Sequence, residues 1–172
     1  MMYHRVSANY WDFGFRHRAI EVLQMALRAD SNFSPGLVFG MYYSIQLGDT
    51  SKAKWFFSRV QQSDSGHLII KPVRRIFSLM DSVRWAKTPP QRIGYELSLA
   101  KGYAAIGLRE LTIDQTLAIL EEDPNNVGAL QVLAQAYNDK DRRWPTIQVL
   151  RRLVTLKPES QAARQRLSEL EW

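Results

Sequence analysis

Histidine is the residue type here with the widest chemical repertoire, and it occurs three times. His4, His17 and His67 are far apart in sequence, and none belongs to an HExxH or similar spacing that would hold a metal ion. Cysteine is absent, which removes thiolate metal sites and a cysteine nucleophile. The sequence also contains no glycine-rich phosphate loop and no GxSxG nucleophile motif. We therefore predict no catalytic residues, no metal site, no cofactor and no enzymatic activity.

The formal net charge of +6 is concentrated in one short stretch. Residues 66–92 carry six Lys or Arg against Asp81 alone, so this stretch is net +5. A local basic excess favours an acidic partner or an anionic surface. The candidate residues, which we call the basic stripe, are Lys71, Arg74, Arg75, Arg84 and Lys87. The alternative is that these side chains form only the solvated back of a helix.

Residue types recur at a spacing of 34, which indicates a structural unit that is stacked repeatedly. Leu99, Leu133 and Leu167 form one ladder with this step, and Ala19 and Ala53 share it. Other pairs with the same spacing are Leu23 with Phe57, Tyr103 with Tyr137, and Pro124 with Pro158. Several residue types in a fixed order at one period are typical of helical repeat proteins.

The order of residue types within a unit resembles the tetratricopeptide repeat. The first unit has Tyr3, Val6, Ser7, Tyr10, Ala19, Leu23 and Ala26, and the last full unit has Leu130, Leu133, Ala134, Tyr137, Leu150, Leu153 and Pro158. A second unit is looser, and the second helix of the third matches weakly because Thr112 and Thr116 replace the expected small and bulky residues. The resemblance implies an all-α fold, a right-handed α-α superhelix of tetratricopeptide-like helix pairs.

The 34-residue period breaks in the middle of the chain, where 25 additional residues separate Gly40 from Leu99. We predict one irregular inserted helix of about five turns there, in preference to two short helices. A final segment has polar residues where bulky ones are expected, which suits a C-terminal capping helix. The prediction is a single domain over 1–172, with repeats at about 1–33, 34–66, 93–126 and 127–160, the inserted basic helix at about 67–92, and the capping helix at 161–172.

The resemblance implies that ligands bind on a concave groove lined by the first helix of each pair. The register places these residues in the groove: His4, Trp11, Val38, Tyr42, Lys101, Gln131, Gln135 and Asn138. Trp11 and Tyr42 are either the main affinity anchors or core residues that contact the inserted helix; the sequence leaves both open.

The function predicted is a non-catalytic protein–protein interaction scaffold that binds a peptide or a partner protein in this groove. The alternative is binding of nucleic acid or an anionic surface through the basic stripe. Nucleic acid is the less expected of these, since few aromatic rings accompany the basic residues. A homodimer is a further hypothesis, because the N-terminal end has no capping helix. The sequence contains no apolar run long enough for a transmembrane segment and no signal peptide is evident, so we expect a cytoplasmic protein.

Overall fold

The computed structural model describes residues 3–172, and every regular element in that range is an α-helix. The helices are α1 (Tyr3–Asp12), α2 (Arg16–Ala29), α3 (Ser34–Gln46), α4 (Thr50–Ser63), α5 (Ile70–Arg84), α6 (Pro89–Ala105), α7 (Arg109–Glu122), α8 (Val127–Asn138), α9 (Arg143–Leu156) and α10 (Gln161–Glu171). The predicted all-α class is confirmed, as is the tetratricopeptide-like pairing of consecutive helices. No helix in the described range combines the length and the apolar character needed to cross a membrane.

The chain divides into two compact units, unit 1 (Met1–Lys71) and unit 2 (Pro72–Trp172). In unit 1, α1 pairs with α2 and α3 pairs with α4. The pairs need small residues where the helices meet. A Cβ atom added to Gly40 of α3 would lie 2.5 Å from ring carbons of Phe56 in α4. Such a distance is shorter than van der Waals contact, so this close approach of α3 and α4 requires glycine.

Unit 2 contains the pairs α6 with α7 and α8 with α9, and α10 packs on α9. Its first helices also approach closely, since a Cβ atom on Gly128 of α8 would lie 2.6 Å from Leu97 of α6. Asn126 begins α8 as an N-cap, because its side chain accepts a hydrogen bond from the Ala129 amide at 2.9 Å. One apolar core cluster joins Leu130, Leu150 and Ala163 from three successive helices.

The weakly matching helix α7 forms at full length, from Arg109 to Glu122. Thr112 and Thr116 are completely buried at the positions where small and bulky residues were expected. Each hydroxyl donates to a carbonyl oxygen one turn earlier, at 3.0 Å to Leu108 and 2.8 Å to Thr112. Because both hydroxyls are satisfied inside the helix, threonine is accommodated in this core.

The predicted inserted helix is confirmed as the single helix α5, which has 15 residues and so about four turns rather than five. The helix that follows begins at Pro89, inside the range assigned to the insert. Pro89 and Pro90 fit there because the first residues of a helix have no intrahelical use for their amides. The capping helix is confirmed as α10, where Glu171 is exposed and accepts a hydrogen bond from Arg151 at 2.9 Å.

Candidate functional site

A trough with a volume of about 320 Å³ opens between α8, α9 and α10 of unit 2. Residues from α8 and α10 form its walls, and Leu150 and Leu153 of α9 form its apolar floor. We call it the unit 2 trough and define it by these residues: Gln131, Gln135, Asn138, Leu150, Leu153 and Arg166. It is wide enough for a side chain or a short extended segment, and both amide and guanidinium groups face it.

The amphipathic pattern of α8 explains why its amide side chains line the trough. Gln131, Gln135 and Asn138 have the spacing i, i+4, i+7, so they form one stripe along the helix. The other side of α8 carries Leu130 and Leu133, which are each 2% exposed and pack in the core. The core contacts therefore fix the rotation of α8, and that rotation directs the stripe into the trough.

The polar groups of the trough are partly bonded to one another. Arg166 donates one hydrogen bond to Oδ1 of Asn138 across the trough and another to Oε2 of Glu169 at 2.8 Å. The Nε2 group of Gln135 donates to Asp139 at 2.6 Å. The hydrogen bond from Arg166, with a second from Gln165, lowers the pKa of Glu169.

The presence of a hydrogen bond at Arg166 and its absence at Gln131, among the described residues, both bear on ligand binding. The hydrogen bond to Asn138 holds the Arg166 side chain in place across the trough, so this cation is oriented before any ligand arrives. Gln131 has no side-chain hydrogen bond within residues 3–172, which leaves its donor and acceptor groups available to a ligand.

Trp11, one of the predicted groove residues of unit 1, is committed to packing between α1 and α3. Its indole ring stacks on the ring of Tyr43 with a centroid distance of 3.9 Å and an interplanar angle of 3°. The indole Nε1 group donates to Oε1 of Gln46 at 3.1 Å. The guanidinium of Arg16 lies 5.6 Å from the Trp11 ring centroid. Trp11 therefore packs on Tyr43 of α3, the residue that follows the groove candidate Tyr42 in sequence.

Two other groove candidates of unit 1, His4 and Tyr42, lie close to neighbouring aromatic rings. The ring of His4 lies 6.1 Å from the rings of Phe33 and Phe39, and its buried Nδ1 atom has no hydrogen-bond partner in residues 3–172. Tyr42 meets Phe39 edge to face at 6.3 Å, and burial raises the pKa of Tyr42. Val38 is half-buried on the same helix.

The remaining candidates are exposed side chains. Lys101 lies on α6 and is not among the residues that line the unit 2 trough. Every member of the basic stripe is exposed: Lys71, the last residue of unit 1, and Arg74, Arg75, Arg84 and Lys87 of unit 2. The structure thus brings three of the eight predicted groove residues together at one trough, namely those of α8.

Arg166 is the polar residue of the defined trough that the sequence did not predict as a groove residue. Polar residues in the last helix were interpreted only as a soluble outer face. A signal was present, because the 34-residue step from Gln131 reaches Gln165, the neighbour of Arg166. Extending the ladder of groove positions into the capping helix would have pointed to this wall of the trough.

The acidic and histidine side chains of the described residues do not form a metal centre. Within residues 3–172, no group of three or more potential ligands is close enough to hold an ion. The groups that line the trough are amide side chains, the Arg166 guanidinium and the apolar side chains of Leu150 and Leu153.

Comparison with known proteins gives structural similarity at low sequence identity. No family model and no curated protein matches this sequence. Among solved structures, YrrB, described as a TPR protein with an unusual peptide-binding site, is 16% identical and matches 96% of this chain and 90% of its own, with a TM-score of 0.47. PilW, a type IV pilus biogenesis factor, is 13% identical over 99% of this chain and 89% of its own, with a TM-score of 0.48.

The TPR domain of P58(IPK) is 16% identical and matches 99% of this chain and 54% of that chain, with a TM-score of 0.47. With TM-scores below 0.5, these similarities identify no ligand for this chain.

Proposed function

We propose that this chain is a protein-interaction scaffold that performs no chemistry and binds an extended peptide segment of a partner protein in the unit 2 trough. The observation that carries the proposal is the arrangement of the trough itself. Gln131 and Gln135 follow one helix at the spacing of a single turn, and Arg166 faces them from α10. Amide side chains suit a peptide main chain, because each offers both a donor and an acceptor.

The floor of the trough defines the side chain that such a peptide would insert. Leu150 and Leu153 present apolar atoms below the polar walls, and the small Ala162 leaves room at the side of α10. An apolar peptide side chain placed on this floor would lose its contact with water, which is the main favourable term in such recognition. The predicted ligand is therefore an extended segment with one buried apolar residue and its main chain bonded to the glutamines.

Two observations favour the unit 2 trough over the groove candidates of unit 1. The Trp11 ring is already stacked on Tyr43 and its Nε1 group is bonded to Gln46, so a ligand could use the indole only by replacing these contacts. His4 is likewise half-buried, and its ring lies 6.1 Å from the rings of Phe33 and Phe39. Gln131 and Gln135 are instead exposed, and within residues 3–172 the side-chain hydrogen bond between Gln135 and Asp139 spans only four residues.

The test starts with a random peptide library selected on the full chain. Binding of the selected peptides is then measured by fluorescence anisotropy for the wild type and for the double variant Gln131→Ala with Gln135→Ala. We expect the double variant to bind at least about tenfold more weakly, since two hydrogen-bonding side chains are removed. Gln148→Ala is the matched control, because Gln148 is exposed on α9 and does not line the trough.

Three outcomes would contradict the proposal. The library could yield no binder, the double variant could bind as tightly as the wild type, or the control could lose as much affinity as the double variant. Thermal unfolding of each variant is measured in parallel, so that a loss of binding is assigned to the trough only where the melting temperature is preserved.

A further inference from the structure

The helix α5 has an outward side with two exposed arginines, Arg74 and Arg75. Its apolar face is already occupied: Val73 and Ile76 are completely buried, and a Cβ atom on Gly102 of α6 would lie 3.0 Å from Ile76. With 3.6 residues per turn, Arg74, Arg75, Ser78, Ser82 and Trp85 fall within an arc of about 100° on the opposite side. These five residues are the α5 outer face.

Among the described residues, Arg74 and Arg75 of this face have no anionic partner. Within residues 3–172, no ion pair or side-chain hydrogen bond involves Arg74 or Arg75. Many other arginines of unit 2 do have partners, and Arg92, for example, bonds both carboxylate oxygens of Glu122. Asp81 is the one acidic residue in 66–92, so the charge of this segment is not balanced locally. Uncompensated cations on a rigid helix attract a negatively charged surface.

Trp85 adds an exposed aromatic ring at the C-terminal end of the same face. Its side chain is 74% exposed, and the guanidinium of Arg84 lies 5.6 Å from the ring centroid. A large exposed indole is unfavourable in water. It is well suited to the boundary between lipid headgroups and acyl chains, where tryptophan is enriched because one edge is polar and the body is apolar.

We propose that the α5 outer face docks unit 2 on an anionic lipid bilayer, a binding activity separate from the peptide trough. A straight helix is convex, so a flat surface can contact Arg74, Arg75 and Trp85 at the same time. A single-stranded nucleic acid is bound instead by a groove with several stacking rings, and this face has one ring. Each basic side chain close to an anionic surface raises the partition about fivefold, so two arginines raise it by more than tenfold.

The experiment measures sedimentation of the full chain with phosphatidylcholine vesicles that contain or lack about one-third phosphatidylserine. We expect binding only to the phosphatidylserine vesicles, weakening at high salt as charges are screened. The double variant Arg74→Gln with Arg75→Gln should bind at least about tenfold more weakly. The control with an equal loss of charge, Arg152→Gln with Arg164→Gln, changes two exposed arginines elsewhere in unit 2 and should keep most of the binding.

The wavelength of tryptophan emission provides a second measurement, because electrostatic attraction without insertion of the indole ring would leave it unchanged. A blue shift on adding phosphatidylserine vesicles should occur in the wild type and disappear in Trp85→Phe. Trp144→Phe, which replaces another exposed tryptophan, should retain it. Equal binding to both kinds of vesicle, or unchanged binding by the Arg74 and Arg75 double variant, would overturn the proposal.

A single-stranded oligonucleotide serves as the competing probe. If it binds with dependence on Arg74 and Arg75 while phosphatidylserine vesicles do not, the face is a nucleic-acid surface and the lipid proposal is wrong. Circular dichroism confirms that each variant retains its helices. Peptide binding in the trough is unaffected by either result, because the two sites share no residue.

Discussion

The hydroxyl oxygens of Ser7 and Tyr43 lie 3.0 Å apart, although the residues are 36 positions apart in sequence. The Ser7 hydroxyl also lies 2.8 Å from the carbonyl oxygen of Ala19. Since a carbonyl oxygen can only accept, the Ser7 proton is used there, and Tyr43 must donate to Ser7. One buried serine thereby connects α1 with both α2 and α3.

Replacing Tyr43 by phenylalanine removes the outer hydrogen bond of this chain and keeps the ring that stacks on Trp11. We expect Tyr43→Phe to lower the free energy of unfolding by about 1 kcal/mol, the usual net value of a buried hydrogen bond. Urea denaturation measures it. Tyr42→Phe is the matched control because no hydrogen bond to the Tyr42 hydroxyl occurs in residues 3–172, and equal losses for both variants would contradict the assignment.

Trp11 should prove to be a stability residue. The change Trp11→Ala removes the stack on Tyr43 and leaves Oε1 of Gln46 without its donor. Since the indole is half-buried, we expect a loss of about 2 kcal/mol in the free energy of unfolding, below the value for a fully buried tryptophan. Peptide affinity in the trough should not change. A variant that keeps its stability and loses binding would restore Trp11 as a ligand anchor.

Substituting alanine for glycine should lower the stability at Gly40 and raise it at Gly94. At Gly40 the new methyl group would collide with the Phe56 ring, so we expect Gly40→Ala to destabilise the protein by about 1–3 kcal/mol. At Gly94 no atom lies within 4 Å of the added Cβ, and Gly94→Ala should stabilise α6 by up to about 1 kcal/mol. The melting temperature should fall in Gly40→Ala and rise in Gly94→Ala. A fall in both variants would show that α6 has no room for a methyl group at Gly94.

Tyr103 should make the protein sensitive to alkali. Burial raises the pKa of Tyr103 to about 12, above the ordinary value near 10 in an unfolded chain. The unfolded state therefore releases the proton first, and stability that is complete below about pH 10 is lost as the pH rises towards 12. By about pH 11.5 the free energy of unfolding of the wild type should have fallen by about 2 kcal/mol more than that of Tyr103→Phe.

The same pair of proteins contains its own control. At about pH 8 Tyr103 is neutral in both the folded and the unfolded protein. No hydrogen bond to its hydroxyl occurs within residues 3–172, so the wild type and Tyr103→Phe should have nearly equal free energies of unfolding. Urea unfolding at both pH values gives the comparison. Parallel losses in wild type and Tyr103→Phe would mean that this hydroxyl does not cause the alkaline transition.

The helix pairs were predictable because their determinants are local and repeated. Small residues such as Ser7 and Ala19 must stand where helices meet, and the 34-residue spacing shows the same requirement at each unit. Proline and cap residues such as Asn126 fix helix ends by backbone hydrogen bonding alone. Thr112 and Thr116 gave a weak match because their suitability depends on internal hydrogen bonds, which residue types do not reveal.

The site was less predictable because adjacent residues of a helix face different neighbours. Tyr42 and Tyr43 are consecutive, and the contact with Trp11 belongs to the second. Consecutive side chains of a helix point about 100° apart, so a shift of one residue decides whether a side chain packs between helices or faces a groove. Arg166 was not predicted as a groove residue because it lies on α10, where the wall of the trough depends on tertiary packing.

The helix α10 both packs on the apolar side chains of α9 and forms part of the trough. Its Arg166 and Ala162 form one side of the trough, while the Arg151–Glu171 ion pair and the hydrogen bond from Arg143 to the Leu170 carbonyl attach it to α9. Proteolysis just before Gln161 would remove one wall of the trough that we propose as the peptide site, and would expose apolar atoms of α9 in the same event. The covering of the α9 core and the proposed peptide site therefore depend on the same helix, and one cleavage would disrupt both.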